Sequence, residues 1–129
     1  MTETIYTPLA GGQPVSHPDA SQYHRCWLIA DDHGNWMDDS QLLSRIDVSL
    51  RFGYLVLQAP GMLRLDIPLD VIEDDDSVRR KVKVAGQEAS VIDEGDVAAL
   101  WVTNCLETPC RLFKVDPDAG PVSWPEQAV

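Results

Sequence analysis

The stretch RIDVSLRFGYLVLQAPGMLRLDIPL, residues 45–69, decides the fold class. Ile46, Val48 and Leu50 alternate with Asp47, Ser49 and Arg51, the two-residue period of a strand with one buried face. Residues 54–58 make a second short extended run, and Leu63, Leu65 and Ile67 alternate again. Between these runs Ala59-Pro60-Gly61-Met62 carries turn chemistry. Pro68 has no N–H to give a ladder, so it belongs at a sheet edge or a strand end. One turn of helix at residues 41–43 precedes the stretch.

Upstream, RCWLIADDHGNWMDDSQ (residues 25–41) reads as a hairpin. Residues 26–30 are apolar and extended, Asp31 to Asn35 supplies the turn, and Trp36-Met37 restarts an extended segment. Gly34 provides positive φ there, and the Asp and Asn side chains can close the turn on neighbouring amides. Residues 1–22 hold Pro8, Pro14 and Pro18 with one candidate strand at residues 4–9. Downstream come an acidic loop, a strand at residues 78–84, a turn at Gly86 and a strand at residues 88–91. DEGDVAALWVTNCLE then predicts a helix near residues 94–106. Asp93 is placed to cap it, with Glu94 and Asp96 where the helix dipole favours negative charge. Val97, Leu100, Trp101 and Cys105 predict its buried stripe. Thr108-Pro109 ends the helix, residues 110–115 form a closing strand, and residues 119–129 read as a loose tail. The reading is one mainly β domain over residues 1–129: an antiparallel β-barrel of seven or eight short strands, plugged or covered by one C-terminal α-helix.

Composition narrows the function classes. The 129 residues carry 21 acids against 10 bases, a net charge of -11. Such a surface repels phosphate backbones and anionic bilayers, so neither nucleic acid nor membrane is expected as a partner. No apolar segment approaches the ~20 residues that a membrane helix needs. The N-terminus MTETIYTPLAGG lacks the basic and apolar regions of a secretory signal. Cys26, Cys105 and Cys110 are an odd set without CxxC spacing, which points to reduced thiols in a cytoplasmic protein.

Few residues advertise chemistry. His17, His24 and His33 lack metal-ligand spacing, and the run Glu73-Asp74-Asp75-Asp76 lacks the spaced oxygens of a calcium loop. Arg79, Lys81 and Lys83 share one strand face, opposite Arg80, Val82 and Val84. That stripe reads as a solvated edge before it reads as an anion patch. Cys105 lies on the helix stripe, Cys26 in an apolar strand and Cys110 at a strand start, none with a histidine beside it in sequence. No catalytic residue and no metal ligand is expected.

Read in order, a set of pieces resembles one family. Arg25-Cys26-Trp27-Leu28-Ile29-Ala30-Asp31 with Gly34 is the first, and Ala59-Pro60-Gly61-Met62 is the second. Val84, Gly86, Asp93, Gly95-Asp96, Ala98-Ala99, Trp101, Pro109 and Arg111-Leu112-Phe113 complete it. Over residues 24–118 this is similar to the MOSC N-terminal β-barrel domain. That domain precedes the MOSC domain in the C-terminal part of molybdenum cofactor sulfurase and in the mitochondrial amidoxime reducing component. The resemblance implies a β-barrel and places Arg25 near the phosphate of a pterin cofactor. Three departures weaken that site. The family's Lys-Ser motif corresponds to IYTPLAGG in the divergent segment 1–22, which has no Lys. Asp38-Asp39-Ser40-Gln41 puts acids where the family has a base. The sequence ends at Val129, where the family continues into the MOSC domain with its catalytic cysteine. The resemblance thus implies a non-catalytic, stand-alone binding domain, with a MOSC-domain protein, another protein or a small ligand as partner and no cofactor of its own. The alternative is a molybdenum-cofactor-binding or sulfur-transfer component that uses Arg25 and one of the thiols.

Overall fold

A computed structural model describes residues 6–16, 20–69, 79–116, 122 and 124. In chain order the elements are β1 (Trp27–Asp31), α1 (Ser40–Leu43), β2 (Asp47–Arg51), β3 (Tyr54–Gln58), β4 (Leu65–Pro68), β5 (Arg79–Val84), β6 (Gln87–Asp93), α2 (Asp96–Leu106) and β7 (Cys110–Val115), preceded by a 3₁₀ turn at Ala20–Tyr23. Two antiparallel sheets result, ordered β1-β7-β6-β5 and β2-β3-β4. They line a common core as a half-barrel, and α2 packs into it. The mainly β reading with one helix holds.

Two hairpins follow from two-residue turns. Phe52-Gly53 links β2 to β3 with φ of 50° and 84°, and Ala85-Gly86 links β5 to β6 with 52° and 84°. Positive φ at both central residues is the geometry whose twist matches that of paired strands, and glycine in second place makes it accessible.

The larger core takes Leu50, Leu55, Leu57, Leu65 and Ile67 from one sheet, Trp27, Ile29 and Leu112 from the other, and Trp101, Val102 and Leu106 from α2. On the far side of the four-stranded sheet, Leu28, Ala30, Val84, Val91 and Phe113 form a second cluster beneath Trp36, with Val122 and Trp124 against it. β1 is therefore buried on both faces, which is why it reads as an apolar run and not as an alternation.

The helix departs from its expected phase. Trp101 and Cys105 are buried, but Val97 is 77% and Leu100 63% exposed, and Ala98, Val102 and Leu106 take the inward positions. Alanine lets the helix backbone lie close to the sheet, whereas a stripe through Val97 would hold it away. Nor does Asp93 cap α2. The helix starts at Asp96 behind Gly95, with no side-chain cap. Asp93 instead accepts the Gly95 N–H at 2.9 Å, closing a turn one step earlier. Cys26 precedes β1. Of the candidate strand at residues 4–9, Tyr6 and Leu9 make only isolated bridges to Val15 and Trp27, and residues 4 and 5 lie outside the described residues. His17 and residues 73–76 also lie outside them.

Candidate functional site

Arg25 stands between the 3₁₀ turn and β1 with φ of 53°, unusual for a residue with a side chain. Its N–H donates to Thr7 O at 2.8 Å, which fixes the backbone against the N-terminal segment. Its guanidinium lies over Trp124, 5.7 Å from the ring centroid. Trp124 in turn meets Trp36 edge-on, with centroids 5.0 Å apart and planes at 76°. The Trp36 indole N–H donates to Ala10 O at 3.2 Å, and this sets the ring's position. Nothing in the sequence pattern of residues 119–129 signals that Trp124 joins this stack. An isolated tryptophan between proline-rich turns carries no period.

His24, next to Arg25, accepts the Thr7 N–H on Nδ1 at 3.0 Å and sits edge-on to Tyr6. Burial, and then the charge of Arg25, push its pKa down, so it stays neutral and adds no second cation.

Beneath β1 lies a buried charge cluster that the sequence reading missed. Lys114 is only 7% exposed, donates from Nζ to Leu69 O and sits 5.2 Å from the Trp27 ring centroid. The Trp27 indole N–H donates to Glu94 Oε2 at 2.7 Å. Burial raises the Glu94 carboxyl, opposed by that hydrogen bond and by Lys114. A signal existed: in CRLFKV, Lys114 shares the two-residue period of Cys110 and Leu112 and so must point inward.

At the junction of β6, α2 and β7, Arg111 holds Asp93 through Nε and Nη2 at 2.8 and 3.1 Å, and Asp96 through Nη2 at 2.8 Å. These bonds raise its pKa further. A groove of about 790 Å³ runs beside this clamp, lined by residues that include Asp31, Lys81, Leu100 and Thr103. Its charges are of both signs. Lys81 is matched by Glu88 at 3.2 Å and Arg79 by Asp116 at 3.6 Å, while Val82 and Val84 enter the second core. Two of the three bases of the stripe, Arg79 and Lys81, are thus paired with acids on the outer face.

Burial pushes all three thiols up, which keeps them protonated. Cys105 and Cys110 are buried, and Cys26 is partly exposed with its thiol against Gln22 O at 3.7 Å. Among the described residues no group of three or more His, Cys, Asp or Glu could hold a metal. No helix among them is long and apolar enough to cross a membrane.

Comparison with known proteins follows these boundaries. Residues 15–109 match the family described as the MOSC N-terminal beta barrel domain. Over 106 residues the chain is 27% identical to molybdenum cofactor sulfurase of Danio rerio, covering 78% of this chain and 13% of that one. Over 96 residues it is 25% identical to molybdenum cofactor sulfurase of Homo sapiens, covering 71% and 11%. The chain therefore spans only a small part of those relatives. A solution structure of a protein coded by a gene locus of Bordetella bronchiseptica aligns with a TM-score of 0.79 at 50% identity, over 98% of this chain and 99% of that one.

Proposed function

The chain belongs to the MOSC N-terminal β-barrel domain family, and from that premise we propose that it is a non-catalytic binding module, docked against a partner protein of molybdenum-cofactor metabolism in the cytoplasm. The observation that carries this reading is the stacking of Arg25 on Trp124. Arg25 is the residue that the family resemblance sets near a cofactor phosphate, and here its guanidinium is spent on the chain's own tail.

The surroundings of Arg25 fit such a phosphate poorly. His24 is held neutral and adds no charge beside Arg25, and a guanidinium shared with an aromatic face is a weak ligand for a dianion. Sulfur transfer needs a thiolate, and burial raises every thiol pKa of the chain. What the chain offers instead is a half-barrel with apolar side chains left at its surface. In the sulfurases the matched segment is a small fraction of a longer chain, with other protein beside it.

The test is the molybdenum and pterin content of protein purified from cells that make the molybdenum cofactor. Trace amounts of both are expected. Near-stoichiometric molybdenum or pterin fluorescence would overturn the reading.

A further inference from the structure

The β2–β3 turn requires positive φ at its first central position but does not require the phenylalanine that occupies it. Phe52 is 98% exposed and holds φ of 50°, where a bulky side chain is a true outlier. Such strain persists when something other than the local backbone favours the residue, and it concentrates at sites that bind. The molecule supplies its own control. The β5–β6 turn has the same two-residue geometry, with φ of 52° and 84°, and uses alanine in the equivalent place. The turn therefore asks only for a residue that tolerates positive φ ahead of glycine, and asparagine would serve better than either.

Phe52 does not stand alone. Tyr54, 43% exposed, follows it, and Arg51 precedes it, exposed and without an ion pair or hydrogen bond among the described residues. The tip is pinned from behind, since Gly53 O accepts the Leu69 N–H at 2.9 Å. Two aromatic side chains and an exposed guanidinium are thus held on one hairpin tip; aromatics and arginine are enriched at interfaces, and tyrosine and arginine at binding hot spots. On a chain of net charge -11 this cationic tip has the sign opposite to that of the chain as a whole. One base on so acidic a chain will not hold an anionic bilayer, but it will orient a protein surface.

We propose that Arg51, Phe52 and Tyr54 form a docking knob for a partner protein, which receives Phe52 in an apolar pocket edged by carboxylates. The proposal rests on the docked-module reading and names the part of the surface that docks.

Tagged wild type, Phe52→Asn, Arg51→Glu and Ala85→Asn are purified from native cells, and co-purifying protein is identified by mass spectrometry and re-bound in pure form. Asparagine suits both turns, so both Asn variants should melt at or above the wild-type temperature. The expected result is a stoichiometric partner with wild type and Ala85→Asn, bound at least tenfold more weakly by Phe52→Asn and Arg51→Glu. Full retention by Phe52→Asn would overturn the knob and leave the module reading standing. No stoichiometric partner for wild type would overturn both. Sedimentation with phosphatidylglycerol–phosphatidylcholine vesicles, or self-association, that depends on Phe52 would also overturn the protein pocket.

Discussion

The ring of Trp124 meets two partners from the front half of the chain, with the guanidinium of Arg25 over its face and the ring of Trp36 in a T-shaped contact. The stack closes the second core over the outer side of the four-stranded sheet. Trp124→Ala should cost about 1–3 kcal/mol, less than a fully buried tryptophan because Trp124 is only partly covered. Arg25→Ala should cost about 0.5–1 kcal/mol, and the two losses should be coupled by a similar amount. Urea unfolding of the two variants and their double mutant measures all three quantities. Additive losses would mean that the ring and the cation do not act on each other.

Glu94 makes stability depend on pH. Its folded-state pKa is raised, first by burial, so its contribution is fully present below the unfolded carboxyl pKa. That contribution is lost as pH rises through the folded value. Glu94→Gln keeps an acceptor for the Trp27 indole and removes the charge. Its stability relative to wild type should therefore grow as pH rises through the upper carboxylate range and then level off. Urea midpoints across the acid-to-neutral range give the curve. A difference independent of pH would show that Glu94 has no raised pKa.

Arg111 ties the first residue of α2 and the end of β6 to β7. The arginine is 40% exposed, so solvent screens much of the attraction, and Arg111→Ala should cost only about 1 kcal/mol. Lysine cannot grip Asp93 with two parallel bonds, so Arg111→Lys should recover less than half of the loss. Full recovery would mean that charge alone matters there.

The thiols should react in an order set by exposure. Cys26 is partly exposed, whereas Cys105 and Cys110 are buried. Mass spectrometry of folded protein treated with iodoacetamide near neutral pH should show Cys26 modified first and slowly, and all three cysteines modified only in denaturant. Rapid labelling of Cys110 would reveal a reactive thiol and reopen sulfur transfer.

The sheet was legible because its strands are short and end in turn residues, two of them with clear alternation: β2, β3, β4 and β7 fall within two residues of their expected places. The helix phase was not legible. Val97 and Leu100 are more hydrophobic than Ala98, yet close packing on a sheet selects the small side chain, and hydrophobicity alone cannot see that. Of the site, Arg25 was visible through the family pieces that flank it. Its partner Trp124 was not, because their contact is long-range and leaves no local pattern. Lys114 was visible in principle from strand parity, but its buried partners lie in β1, the β6–α2 connection and the segment after β4. Phe52 was hidden because a residue between two strand runs gives no sign in the sequence of whether its side chain folds inward or stays exposed.

Native mass spectrometry of the protein affinity-purified from its own cells tests the central claim most directly. The account predicts this chain, without added cofactor mass, in a non-covalent complex with a second polypeptide. A free chain that carries the mass of a molybdenum-bound pterin would contradict it.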